Sequence, residues 1–207
     1  HLGHSGLNQG APMTVWSTHN GFARRVRPWL AASGSLSARL AQHGTQFRVQ
    51  VLDQGMQPLH ADEARALGLS GRSTGYVREV VLSVDGMPVV FARSVTSHTH
   101  SLGPWRAIRG LGTRPLADVL FKRMGIARAP MAFAHLTPAS GLARHVETAW
   151  AKSTGQTVNA SALPARRSVF TRYGAPLLVM EVFASAQHPW GWPSPHRVGR
   201  KPYLPRK

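Results

Sequence analysis

Two arginines, Arg78 and Arg93, lie in β-rich runs on either side of Asp85-Gly86. Asp-Gly favours the two-residue type I′ turn, so residues 75–97 are predicted to form a tight hairpin. Pairing counted outward from that turn places Arg78 directly opposite Arg93. Like charges so placed repel, and guanidinium groups bind carboxylates through paired hydrogen bonds, so we expect the two arginines to hold a small carboxylate ligand.

Two alternatives to this carboxylate site remain open. The arginine side chains could reach water or pair with a local acid. A shift of the turn by one residue would place Arg78 and Arg93 on opposite faces of the sheet, because side chains alternate along a strand.

A lone acid, Glu181, stands in the apolar run LLVMEVF, which follows a second predicted hairpin turn at Gly174-Ala175. Glycine at the first loop position favours a type II′ turn, which would pair Ser168 with Glu181. A carboxylate in apolar surroundings must be ion-paired, hydrogen-bonded or protonated. We expect Glu181 to be a catalytic acid, and a structural ion pair with an arginine is the alternative.

Short elements predicted elsewhere would position these side chains. Ser35 is an expected N-cap, and Pro115 is expected in the first turn of a helix whose free N–H groups could bind a carboxylate. The expected elements are a helix at 36–43, a strand at 46–53, a short helix within 60–69, two helical pieces within 101–125 and a weak strand at 129–136.

The composition limits the class of protein. The chain has 25 Lys and Arg against 8 Asp and Glu, a net charge of +17, which can attract nucleic acid or a small anion. Much of the excess lies near the ends and no DNA-binding motif is evident, so nucleic-acid binding is an unfavoured alternative. Without cysteine or a long apolar run, we expect a cytoplasmic protein with no membrane span.

One domain is expected for 207 residues. We predict a flexible N-terminal segment at 1–27, a folded domain at 28–185 with a polar surface insertion at 137–164, and a basic Pro-rich tail at 186–207. The insertion could contain a short helix around 143–152. The His98-Thr99-His100 pair of imidazoles lacks a third ligand, so no metal site is predicted. The chain also lacks the glycine-rich motifs of nucleotide-binding proteins, so no cofactor is expected.

Four motifs follow one another along the chain: Trp29-Leu30 with Ser35-Leu36, GYVREVVLSVDGMPVVFARSV, LGTRPLADVLF and RRSVFTRYGAPLLVMEVF. In this order they resemble the motifs of one known family, the chorismate pyruvate-lyases of ubiquinone biosynthesis. The resemblance covers residues 29–183 and departs from the family in the 137–164 connection and both tails.

This resemblance implies an α+β single domain, with a six-stranded antiparallel sheet covered by helices and an enclosed ligand cavity. The implied reaction converts chorismate to 4-hydroxybenzoate and pyruvate, by a monomer that needs no cofactor. The family's binding positions fall on Leu36, Arg78, Leu116 and Glu181, and Arg93 matches its second hairpin arginine.

The roles expected from these residues follow the two carboxylates of chorismate. Arg78 and the Leu116 N–H would hold the ring carboxylate, Arg93 would favour the departing enolpyruvyl carboxylate, and Glu181 would bind the 4-hydroxyl or move a proton.

A competing interpretation is a non-catalytic sensor of small carboxylates. Effector domains of one large group of bacterial transcription regulators are similar in fold, but they normally follow a winged-helix domain. The residues before Trp29 are too few and too irregular for such a domain.

Overall fold

The computed structural model describes residues 10–22, 24–158, 163–184 and 192–193. Within them, seven strands form one sheet. Six α-helices and one 3₁₀ helix, at Arg106–Gly110, lie on the two faces of the sheet. The helices are α1 Arg27–Ala31, α2 Leu36–Ala41, α3 Ala61–Ala66, α4 His98–Leu102, α5 Ala117–Leu120 and α6 Gly141–Thr154. The strands are β1 Phe47–Pro58, β2 Thr74–Val84, β3 Met87–Thr96, β4 Ile126–Arg128, β5 Ala132–His135, β6 Pro164–Arg172 and β7 Ala175–Val182.

The sheet is antiparallel throughout, in the order β1-β2-β3-β7-β6, with β4 and β5 both paired to β6 at the far edge. The weak strand expected at 129–136 is the short strand β5. It is separated from β4, which lies before the predicted range, by the segment around Pro130, which has no N–H to donate to a ladder. Seven strands therefore fill six positions, and the α+β architecture with an antiparallel sheet is confirmed.

The first hairpin has the expected turn, but its register is not the predicted one. Asp85 and Gly86 both have positive φ, 49° and 78°, as a type I′ turn requires. One β-bulge then inserts Val89 as an extra residue, because Ser83 pairs with Pro88 while Leu82 pairs with Val90. The bulge reverses which face each later residue of β3 occupies.

This shift separates the two arginines that were predicted to pair. Arg78 lies opposite Ser94, and Arg93 lies opposite Glu79, on the other face of the sheet. The predicted Arg78–Arg93 pair is therefore wrong, and the bulge is the physical reason.

The second hairpin turns one residue earlier than expected. Tyr173 and Gly174 form its loop with φ of 48° and 74°, so both have the positive φ of a type I′ turn rather than the predicted II′ turn. Glu181 consequently pairs with Arg166, and not with Ser168.

Helix α6 lies in the segment predicted to be a surface insertion, yet its apolar side is buried against the sheet. Ser140 caps it by accepting the Ala143 N–H at 3.1 Å, and Gly155 ends it in the left-handed region with φ 70°. The buried side consists of Leu142, Ala143, Val146 and Trp150, which pack with Val81 and Phe91. This part of the segment belongs to the core.

The chain before α1 is also packed where the structure describes it, contrary to the expected flexible segment. Ser17 pairs with Phe133 in an antiparallel bridge, and Phe22 and Val26 are buried. The predictions for residues 1–9, 186–191 and 194–207 lie outside the described residues, although Trp192 packs on Phe183 at a ring distance of 4.8 Å. No described helix is long and apolar enough to cross a membrane.

Candidate functional site

A cavity lies between one face of the sheet and the covering segments around α2 and α5. Its interior, counted with its mouth, measures about 640 Å³. Apolar side chains form much of the wall, and several charged and hydroxyl groups point to the same space. The lining includes Leu36, Ser37, Val49, Arg78, Val80, Leu82, Ala92, Ser94, Pro115, Leu116, Leu120, Phe121, Arg128, Arg166, Ser168, Phe170, Val179 and Glu181.

The floor of the cavity is a grid set by strand register. One row crosses four strands from Arg78 through Ser94 and Val179 to Ser168. The neighbouring row is Val80, Ala92, Glu181 and Arg166. Register therefore brings Arg78 and Glu181 to the same face, two strands apart, with small side chains between them that leave room for a ligand.

Arg78 is the best placed anion-binding group of this floor. Its side chain is buried, and its Nη2 donates to the carbonyl oxygens of Gly112 at 3.0 Å and Arg114 at 2.9 Å. Its Nε is buried without a hydrogen-bond partner. Burial lowers the pKa of Arg78, but a guanidinium stays protonated in proteins, so the free N–H can donate to an anion.

Glu181 shares the cavity and is held by Arg166. The Arg166 Nε donates to Glu181 Oε2 at 2.5 Å, while the carboxylate keeps 17% of its side-chain surface exposed. Arg166 Nη1 also donates to the carbonyls of Leu30 and Ala32 at 3.0 and 2.7 Å. The ion pair that was an alternative for Glu181 is therefore present, and it leaves the carboxylate accessible.

Sequence reasoning missed Arg166 as a member of the site. The Tyr173-Gly174 dipeptide could have revealed it, since glycine suits the second position of a type I′ loop as well as the first position of a II′ loop. Choosing the former turn gives the Arg166–Glu181 pair directly.

Leu36 and Leu116 both reach the cavity, as expected from the resemblance. Leu36 begins α2, whose N-cap Ser35 accepts the Ala38 N–H at 3.1 Å, and Leu116 precedes α5. The Leu116 N–H takes part in no hydrogen bond with the described residues, so it is available to a ligand.

Arg93 does not belong to this cavity. It is buried on the opposite face, where Nε donates to Glu63 at 2.6 Å and Nη1 donates to Glu79. Burial alone would lower the pKa of Arg93, but the two carboxylates outweigh burial and raise it. His145 completes the cluster through Nε2, 2.5 Å from Glu79. The predicted ligand-binding role of Arg93 has no support in this position.

In the part of the chain that the structure describes, no three His, Cys, Asp or Glu side chains are grouped so that they could hold a metal ion. His98 and His100, the two imidazoles noted in the sequence, are in helix α4.

Comparison with known families gives one decisive match. A sequence model of the family described as "Chorismate lyase" matches residues 14–190. The chain belongs to the chorismate lyase family. A relative from Albidiferax ferrireducens named "Probable chorismate pyruvate-lyase" is 60% identical over 94% of this chain and 98% of its own length. A relative of the same name from Azoarcus sp. is 43% identical over 79% of this chain and 85% of its own.

Solved structures resemble this chorismate lyase family member in fold alone. The C-terminal domain of PhnF superposes with a TM-score of 0.50 at 14% identity, covering 70% of this chain and 87% of that domain. PhnF from Mycobacterium smegmatis gives 0.50 at 16% identity, covering 77% and 67%.

The range matched by the chorismate lyase family model includes all four motifs of the sequence. The matched range begins before α1 and ends beyond β7, so it includes every strand of the floor. It also includes residues 14–27, which belong to the segment predicted to be flexible.

Proposed function

We propose that this protein is a chorismate pyruvate-lyase, which releases 4-hydroxybenzoate and pyruvate from chorismate as the first step of ubiquinone biosynthesis. The observation that carries the proposal is the buried, unpaired Nε of Arg78, which lines the same cavity as the Glu181 carboxylate. Sequence similarity supports the proposal, since the relative that is 60% identical over 94% of this chain is named "Probable chorismate pyruvate-lyase".

The reaction needs few chemical groups. The bond between ring C3 and the ether oxygen breaks, its electron pair leaves with enolpyruvate, C4 loses a proton, and enolpyruvate takes up a proton to become pyruvate. Aromatisation of the ring favours the products. The protein therefore has to orient the substrate, exclude water and stabilise the departing charge, which needs no cofactor.

Arg78 and Leu116 bind the ring carboxylate in this scheme. The Arg78 Nε and the Leu116 N–H both lack hydrogen-bond partners among the described residues, and both residues line the cavity. A carboxylate accepting both would satisfy them in a site largely closed to water. Leu36 and Val80 supply the apolar contact for the ring.

Glu181 acts at the C4 position of the ring. Its carboxylate, fixed by Arg166, either accepts the C4 proton or accepts a hydrogen bond from the 4-hydroxyl group. The two roles differ in what a glutamine can replace, since an amide still accepts a hydrogen bond but is a very weak base.

The function is tested by incubating the protein with chorismate and following 4-hydroxybenzoate by absorbance. We expect product in large molar excess over protein, which a sensor domain would not give. Formation of no 4-hydroxybenzoate would contradict the proposal, and tight binding of a carboxylate without turnover would favour the sensor.

The assigned roles are tested with Arg78→Ala and Glu181→Gln. Loss of a charge-assisted hydrogen bond in Arg78→Ala should lower kcat/KM by roughly 10- to 100-fold and weaken 4-hydroxybenzoate binding as much. Glu181→Gln should lower kcat by roughly 100-fold or more if Glu181 moves the proton, and by less than about 10-fold if it only hydrogen-bonds.

The exposed Arg144 on α6 provides the matched control. Arg144→Ala removes the same charge away from the cavity and should leave both constants unchanged. Unaltered rates in both Arg78→Ala and Glu181→Gln would show that these residues do not form the site.

A further inference from the structure

Chorismate carries a second carboxylate, on the enolpyruvyl group, and the displacement of Arg93 to the opposite face leaves it without a predicted partner. The cavity contains three more arginines, Arg128, Arg166 and Arg167. Arg167 is occupied, because its Nη1 donates to Asp62 at 2.8 Å. Arg166 is occupied, because its Nε donates to Glu181 and its Nη1 donates to the carbonyl oxygens of Leu30 and Ala32 at the end of α1. Arg128 is the remaining candidate.

Arg128 is held in place but keeps one edge of its guanidinium free. Nε donates to Ser168 Oγ at 3.0 Å, Nη1 donates to the Ser33 carbonyl at 2.8 Å, and the guanidinium carbon lies 5.0 Å from the Phe170 ring centre. Nη2 makes no hydrogen bond to any residue in the described ranges. These contacts fix the orientation of the fork, which reduces the entropy lost when a ligand binds.

The charges around Arg128 favour an anion. Burial lowers its pKa and the neighbouring Arg166 lowers it further, while Glu181 acts in the opposite direction. No ion pair between Arg128 and a carboxylate is present among the described residues. A partly buried cation beside another cation, with no acid of its own, is stabilised by a bound carboxylate.

The position of Arg128 suits a substrate with two carboxylates. Arg78 is on β2 and Arg128 ends β4, so their backbones are four strand spacings apart, about 19 Å at the usual interval. Both side chains nevertheless line one cavity, and Glu181 on β7 lies between their strands. A ligand spanning the floor would present one carboxylate to each arginine and its ring to Glu181.

We propose that Arg128 binds the enolpyruvyl carboxylate of chorismate, at the side of the cavity opposite Arg78. This assignment rests on the proposed function. Arg128 would then stabilise the negative charge that develops as enolpyruvate departs. The electron pair of the broken C3–O bond leaves on the fragment that Arg128 binds. The aromatic product keeps only the ring carboxylate, so it makes no contact with Arg128.

The test compares a dianion with a monoanion. In Arg128→Gln, kcat/KM for chorismate should fall roughly 10- to 100-fold, the usual effect of losing a charge-assisted hydrogen bond, while the Kd of 4-hydroxybenzoate should change less than about 3-fold. Arg78→Ala should weaken both, and Arg144→Ala neither. Retained product binding would also show that the altered protein is folded.

Arg128→Lys keeps the charge without the planar fork, and serves if the glutamine variant does not fold. It should recover part of the loss for chorismate and bind 4-hydroxybenzoate as the unaltered protein does. Unchanged kcat/KM in both variants, or an equal loss for substrate and product, would overturn the assignment while the proposed function stands. An unaltered protein without turnover would overturn both.

Discussion

Three arginines of the sheet, Arg78, Arg93 and Arg166, are equally buried, with at most 2% of each exposed, yet each meets different partners. Two carboxylates neutralise Arg93, while Arg166 divides its donors between Glu181 and backbone carbonyls. Arg78 meets only carbonyl oxygens and keeps a free Nε. Partner chemistry, rather than burial, therefore separates a structural arginine from one that can bind a ligand.

Arg93→Met tests that distinction. The change leaves Glu63 and Glu79 buried without their cation, which should lower the free energy of unfolding by about 3–5 kcal/mol in a urea titration. Binding of 4-hydroxybenzoate to the folded variant should be unchanged, because Arg93 faces away from the cavity. Normal stability together with weakened ligand binding would restore the role that the sequence suggested for it.

At the scale of elements, the turn of the first hairpin is joined to the segment that leads from α2 into β1. Asp85 Oδ1 accepts the N–H groups of Thr45 at 2.8 Å and Gln46 at 2.7 Å. Gly44 lies so close that a Cβ there would be 2.4 Å from Val84 Cγ1 and 2.7 Å from Asp85 Oδ2. This contact fixes α2, which carries Leu36, relative to the floor.

Gly44→Ala should therefore force the turn away from the 44–46 segment. We expect a loss of about 1–3 kcal/mol in the free energy of unfolding, as for other overpacked positions, measured by chemical denaturation. Gly71→Ala is the matched control, because a Cβ at Gly71 meets nothing within 4 Å. Equal stabilities of the two variants would show that the contact is not tight.

How far the sequence predicted the molecule can be judged at this same scale. Both hairpins and the cap at Ser35 follow from local patterns, and the structure contains them. That Arg78 and Glu181 share one site was expected from the family resemblance, and both line one cavity. The register beyond Leu82 and the turn at Tyr173 did not follow from them. A bulge depends on packing across the whole sheet, so no local dipeptide specifies it.

At the scale of the whole molecule, the two faces of the sheet carry different features. One face bears the cavity, and the other carries an ionic cluster between α3, the sheet and α6. Burial would raise the pKa of Glu79, but hydrogen bonds and charges from His145 and Arg93 lower it. Burial lowers the pKa of His60 from 6.5, with Glu63 opposing and Arg93 and His145 adding to the shift.

Both shifts predict that acid destabilises the fold. The unfolded chain takes up protons at His60 below pH 6.5 and at Glu79 below about pH 4.5 more readily than the folded chain does, so stability is complete above these values and falls as the pH decreases. Urea unfolding from pH 8 to pH 4 should show this decline.

His60→Asn separates the two contributions. Asparagine can replace His60 at the start of α3 as an N-cap, so the variant should fold. It should lose the part of the decline that begins below pH 6.5 and keep the part that begins below about pH 4.5. An unchanged profile would assign that decline to other groups.

The single extra residue at Val89 restricts how the length of β3 can change during evolution. Gain or loss of one residue between the turn and Arg93 would put this guanidinium into the ligand chamber and leave two buried acids without their counterion. Insertions and deletions within β3 should therefore be much rarer among homologous chains than substitutions of its side chains. Homologous chains are best aligned here by the face on which each residue stands, and not by counting from the turn.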